Sequence, residues 1–345
     1  MLPRDRVIAA LEWREPDVVP AEHHSSPAGL HEHGQKLRDL FARYPHDFGD
    51  FSNLPIPAPD PRWVDANGRY CELRRDEWGV LWEHLIYGVA GHPIERPLDD
   101  VANLPRFWAP APPAMSGPGF ERACAGAGAH RHAHFLKSGW PSVFEVMHAV
   151  RRFEDVLMDV ECDTPEINRL ADLITDYRVL QIEQMLACGA DAIQFADDFG
   201  SQTGLLISRR TWRRFFRPRY ERMIAPVRKA GVKVFYHICG QAWDLLDDIA
   251  ELGVQAVWPQ LNLYDEAALA RRCRELRLAV AIHPERSHLM TNGTPAQVRD
   301  AVLRLADTFQ VGRGGSWFYV EIDNGFPFEN VRALIETVAG LRGYA

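Results

Sequence analysis

The chain has 345 residues, 46% of them apolar, with 39 basic against 47 acidic side chains and a net charge of −8. No basic block is present to hold a nucleic-acid backbone, no apolar run reaches the roughly 18 residues of a membrane span, and the start Met1-Leu2-Pro3-Arg4-Asp5-Arg6 lacks the apolar stretch of a secretion signal. Six cysteines, at 71, 124, 162, 188, 239 and 273, show neither disulfide-like nor CxxC spacing, which predicts a reducing, cytoplasmic setting.

An amphipathic helix is expected over Arg4–Trp13, carried by Val7, Ile8, Leu11 and Trp13, then a short strand at Asp17–Ala21 running into Glu22-His23-His24-Ser25-Ser26. Residues from about 50 to 118 read as an irregular elaboration. Pro, Trp and Gly are frequent up to 103, Glu77–Trp82 looks like a hairpin arm, and the proline-dense stretch Leu104–Gly119 reads as a linker. Trp78, Trp82 and Trp108 are expected to serve packing.

The second half is more regular. Strands are predicted at His134–Ser138, Ala190–Ala196, Lys233–Tyr236, Val254–Trp258, Leu278–Ile282 and Trp317–Ile322. Helices are predicted at Val143–Arg151, Thr164–Gly189, from Arg209 behind the N-cap Ser208, and at Tyr220–Ala230, Ala242–Leu252, Asp265–Leu276, Thr294–Phe309 and Phe328–Leu341. The strands are near-continuous apolar runs, as parallel strands covered on both faces should be. Strand and helix alternate, and no Gly-rich dinucleotide fingerprint follows a strand. The expectation is a single domain over 1–345, a (β/α)8 TIM barrel with an N-terminal hairpin and loop elaboration. Homodimers are common for a barrel of this size.

Most predicted strands end in reactive groups: Glu22/His23/His24, Lys137/Ser138, Asp197/Asp198, His237/Cys239, Gln260, His283/Glu285/Arg286 and Glu321/Asp323. In a barrel these ends converge on one mouth. Period-2 alternation along Val234–Gly240 puts His237 and Cys239 on one face, as two corners of a zinc site. Adjacent acids face opposite ways in an extended chain, so one of Asp197/Asp198 serves the cleft, and Asp198 is chosen as catalytic. Asp197 and Gln202 are candidate substrate contacts. His283 and His23 are candidate acid–base groups, Glu22 and His24 candidate substrate contacts, and Arg286 could hold a carboxylate or phosphate.

Gly189-Ala190-Asp191-Ala192-Ile193 through Asp197-Asp198-Phe199-Gly200-Ser201-Gln202 resembles the uroporphyrinogen decarboxylase superfamily. So do Leu206-Ile207-Ser208, Phe216-Arg217-Pro218-Arg219-Tyr220, His237-Ile238-Cys239-Gly240, Gly293-Thr294-Pro295 and Glu329-Asn330-Val331. The resemblance implies a (β/α)8 barrel. True uroporphyrinogen decarboxylases grip substrate carboxylates with an arginine-rich N-terminal loop, but here that loop reads Glu22-His23-His24-Ser25-Ser26-Pro27 without arginine. The His-x-Cys-Gly motif is similar to the cobalamin-linked methyltransferase and demethylase branch, where His and Cys bind zinc. That branch adds a second cysteine before the terminal Glu-Asn motif, and none stands here. Glu321 is the expected replacement ligand, with Asp323 next. The implied activity is zinc-dependent methyl transfer between a small methylated substrate, a corrinoid (cobalamin) on a separate protein, and a thiol or tetrahydrofolate acceptor. The alternatives are decarboxylation of another acid by Asp198 with His23 or His24, and a barrel that only binds a ligand.

Overall fold

The structure is a computed structural model that describes residues 1–344. The last residue of the predicted domain, 345, lies outside them. No helix among the described residues is long and apolar enough to cross a membrane.

The strands are β1 (Ala21–Ser25), β2 (Glu72–Arg75), β3 (Leu81–His84), β4 (His92–Glu95), β5 (Lys137–Ser138), β6 (Ala192–Ala196), β7 (Lys233–Ile238), β8 (Ala256–Pro259), β9 (Ala279–Ile282) and β10 (Ser316–Ile322). The helices are α1 (Pro3–Leu11), α2 (Pro27–Arg43), α3 (Pro118–Arg131), α4 (Phe144–Val150), α5 (Phe153–Cys162), α6 (Pro165–Ala187), α7 (Arg209–Phe215), α8 (Arg217–Lys229), α9 (Leu246–Glu251), α10 (Glu266–Leu276), α11 (Leu289–Asn292), α12 (Pro295–Thr308) and α13 (Phe328–Leu341). Seven strands form one curled parallel sheet in the order β1-β10-β9-β8-β7-β6-β5, and β2-β3-β4 form a small antiparallel sheet.

The sheet has seven regular strands where a (β/α)8 barrel predicts eight. The gap between β1 and β5 is spanned by an irregular segment around Asp47. Its N–H donates to Ala21 O at 2.9 Å, and its carbonyl accepts from Phe135 N–H, just before β5, at 3.0 Å. The Asp47 carboxylate, 0% exposed, accepts from Arg6, Arg342 and the Ala21 N–H at 2.5–2.8 Å. A stave with so few ladder bonds lacks the alternating pattern that marks a strand in sequence.

Every residue of β6, β9 and β10 is buried, so the apolar runs follow from helices on one face and the barrel interior on the other. The interior holds Phe48, Phe135, Ala192, Phe235, Ala256, Ala279, Ala281, Trp317 and Tyr319. Small alanines on three strands make room for the large rings of the others.

Five further expectations are corrected. The first strand is Ala21–Ser25, displaced from the predicted Asp17–Ala21 because the polar residues of 22–24 are strand and not loop. A 17-residue helix, α2, follows it unpredicted, capped by Ser26. Helix α3 forms where the proline-dense linker ends and buries none of its residues. Cys124 on α3 and Cys188 after α6 are disulfide-bonded, their Cα atoms 4.2 Å apart although 64 positions separate them, so the pairing was invisible to sequence spacing. Trp78 is buried, whereas Trp108 is 77% exposed and serves no packing.

Candidate metal centre

Asp198, His237 and Cys239 come together at the C-terminal ends of β6 and β7, with one ligand atom of each within 4.8 Å of the others. His237 and Cys239 share a face by strand parity, and Cys239 Sγ lies 3.2 Å from His237 Nε2. His237 Nδ1 donates to the Trp258 carbonyl of β8 at 2.9 Å, which fixes the tautomer and leaves the Nε2 lone pair free. Burial lowers the His237 pKa to about 3, so the ring is neutral at ordinary pH. Asp198 Oδ1 accepts the Cys239 N–H at 2.7 Å and lies 3.8 Å from His237 Nε2.

Glycines bring the Asp198 loop to this position. Gly240 has φ +78°, and a Cβ there would fall 2.1 Å from Gly200 backbone atoms, so only glycine lets the two loops meet. The contact is closed by Gln241 N–H donating to Ser201 O at 2.7 Å.

These residues fit zinc. Tetrahedral ligands at about 2.0–2.3 Å from the ion sit roughly 3.3–3.8 Å from each other, close to the separations seen. An imidazole, a thiol and a carboxylate are zinc donors, and three protein ligands leave one position open. Without an ion, burial pushes the Cys239 thiol up to about 12 and also raises the Asp198 pKa. A thiolate at this place therefore calls for a cation.

The structure does not bring all the expected residues to this centre. Glu321 stands on the opposite wall, its carboxylate 2.7 Å from Arg286 and outside the candidate trio, in which Asp198 takes the place expected for it. Burial raises the Glu321 pKa to about 7, and its Oε2 has no partner. Arg286 is thereby occupied in an ion pair, with its side chain still 31% exposed. Glu22 pairs with Lys137 and accepts from Trp317 Nε1 at 3.1 Å, deep in the interior. His24 is exposed and stacks on Tyr319.

His23 points the other way. It lies outside the sheet, stacked between Phe41 and His46, with burial lowering its pKa to about 3. No substrate in the mouth meets it, and the expected acid–base role is corrected on that ground. Asp197 is likewise outside, 0% exposed, accepting from the Val143 and Glu145 N–H groups at 2.7 Å and from Tyr220 OH. It braces α4 and α8 against β6. Its neighbour Asp198 faces the mouth. Gln202 is exposed on the loop after β6 without a side-chain hydrogen bond among the described residues. His283 is buried with both ring nitrogens against carbonyls, Pro284 at 3.1 Å and Pro259 at 3.0 Å, so it ties β9 to β8.

Sequence reasoning missed two residues beside the centre. Trp258 lies 4.0 Å from the His237 ring and 4.3 Å from Tyr319. Trp140, after β5, lies 5.3 Å from His237. Trp258 was within reach of the argument, since parity places it on the same face as Gln260; Trp140 follows a two-residue strand and carries no such signal.

A solved methyltransferase from Methanosarcina mazei matches over 100% of both chains at 17% identity with a TM-score of 0.65, a likeness of fold. A B12-independent methionine synthase from Shewanella sp. W3-18-1 matches at 11% identity over 81% of this chain and 75% of that one, with a TM-score of 0.41. A dihydropteroate synthase from Xanthomonas albilineans matches at 13% identity over 53% of this chain and 58% of that one, with a TM-score of 0.34. No curated protein matches. The family described as uroporphyrinogen decarboxylase (URO-D) matches residues 135–341, more than half of the chain and the whole span from β5 through α13 that builds the Asp198, His237 and Cys239 wall. The chain belongs to the uroporphyrinogen decarboxylase family.

Proposed function

We propose that this protein is a zinc-dependent methyltransferase, moving a methyl group between a small methylated compound or a corrinoid on a separate protein and a thiol or folate acceptor. The observation that carries the reading is the His237 ring, held by the Trp258 carbonyl with its free nitrogen turned onto Cys239 and Asp198. A methyltransferase sharing the fold end to end supports it.

Zinc bound there would hold a thiol as thiolate, or polarise an oxygen, at neutral pH. The chain's own groups do the rest. His237 and Cys239 are fixed by backbone contacts, so the ligand geometry is set before anything binds. Trp140 and Trp258 cover the centre and limit water. Decarboxylation by Asp198 with His23 or His24 is less well served, because His23 lies outside the barrel and only His24 remains beside the mouth.

Metal analysis of the purified protein tests the reading. About one zinc per chain is expected, lost in Cys239→Ala and kept in Cys273→Ala, whose thiol is buried on α10. Equal zinc in Cys239→Ala would remove the basis of the proposal.

A further inference from the structure

The mouth beside the ligand wall is lined with rings. Trp140 is 47% exposed, and its indole meets that of Trp258 at 6.0 Å and 73°, forming a corner with His237 in it. Trp258 leads on to Tyr319 at 4.3 Å, and His24 stacks on Tyr319 at 5.7 Å. Tyr319 itself is buried and carries the Lys137 ammonium 5.5 Å from its ring centre, so the faces left open at the mouth are those of Trp140, Trp258 and His24.

The charges around these rings do not cancel. Zinc with ionised Asp198 and Cys239 would be neutral as a unit. Lys137 is matched by Glu22, and Arg286 by Glu321. Asp323 is left over. It has no ion-pair partner among the described residues and lies close enough to Glu321 and Arg286 to raise the pKa of each. Glu321 adds an oxygen, Oε2, that is buried without a partner on a side chain only 9% exposed. A site of open π faces with surplus carboxylate oxygen attracts a diffuse cation and repels an anion.

Resting on the methyl-transfer reading above, we propose that the methylated compound taken at this mouth is a quaternary ammonium. Its N-methyl groups would lie against Trp140, Trp258 and His24, with Asp323 as the counter-charge. The chemistry balances without a proton. The C–N bond breaks with its electron pair on nitrogen, a neutral tertiary amine leaves, and the methyl carbon bonds to the nucleophile of the acceptor, a reduced corrinoid or a thiolate.

Calorimetric titration of the intact protein tests this with choline and with 3,3-dimethyl-1-butanol, which has the same shape with carbon in place of the charged nitrogen. Choline should bind at least about tenfold more tightly. Trp140→Ala should lose most of that preference, while Trp140→Phe, which keeps a π face, should retain it; circular dichroism confirms that both variants fold. Equal binding of the neutral isostere, tighter binding of 4-methoxybenzoate, absence of choline binding, or an unchanged preference in Trp140→Ala would each overturn the proposal. No corrinoid or acceptor is present in the titration and metal content is read separately. Loss of the ammonium reading therefore leaves methyl transfer standing, and a metal-free protein leaves the titration interpretable.

Discussion

The two walls of the barrel mouth are held by different means. On the β6–β7 side, each reactive group is aimed by backbone: His237 by the Trp258 carbonyl, Asp198 by the Cys239 N–H, and the two loops by the Gly200–Gly240 approach. On the β10–β1 side, reactive groups hold one another, Glu321 with Arg286 and Glu22 with Lys137. Backbone contacts leave side-chain lone pairs free for a ligand, whereas paired charges spend most of theirs. The first wall suits an ion that demands fixed geometry, and the second suits a substrate that trades one partner for another.

The contrast breaks most sharply at Cys239. Cys239→Ala should remove the metal and reduce methyl transfer at least about a hundredfold, because losing a ligand costs no less than losing a residue that orients one; metal analysis and a turnover assay read both. Asp198→Asn keeps an oxygen to accept the Cys239 N–H but loses the charge, so zinc affinity should fall about 10- to 100-fold in a chelator competition. Unchanged affinity would place Asp198 outside the ligand set.

Asp197, one residue away, should behave in the opposite sense. Asp197→Ala strands two buried N–H donors and the Tyr220 hydroxyl and should cost about 3 kcal/mol in denaturant unfolding, with zinc content per folded chain unchanged. Zinc loss without a stability change would invert the roles assigned to the two acids.

The smallest effect concerns the paired wall. Glu321 titrates at about 7 when folded against an ordinary value of 4.5. Between these pH values the folded chain carries the extra proton. The contribution is therefore fully present below pH 4.5, declines as pH rises toward 7, and is flat above. Unfolding of chelator-stripped protein should show that decline in wild type and a shallower one in Glu321→Gln. Parallel profiles would mean that Arg286 keeps the carboxylate ionised throughout.

Much of this was readable from residues alone. β6 to β10 announced themselves as apolar runs because helices cover them outside and rings fill the barrel inside. His237 and Cys239 followed from parity. β1 was displaced because its inward residues, Glu22 and His24, are polar and look like loop. Asp198 was not placed in the candidate trio for a different reason. Alternation says which face a side chain takes, but which loop arrives beside Cys239 depends on two glycines 40 positions apart touching, Gly200 and Gly240. The stave at Asp47 and the Cys124–Cys188 pair are long-range contacts of the same kind, without local pattern.

Asp47 ties the two ends of the chain together. The N-terminal Arg6 and the far C-terminal Arg342 both clasp its carboxylate, and Arg342 also donates to Val19 O at 2.6 Å. During synthesis the seam around Asp47 cannot lock until Arg342, 295 positions further on, has emerged. Shortening the polypeptide just ahead of Arg342 should accordingly leave the seam open to proteases near position 47, while the remote His237 corner stays folded.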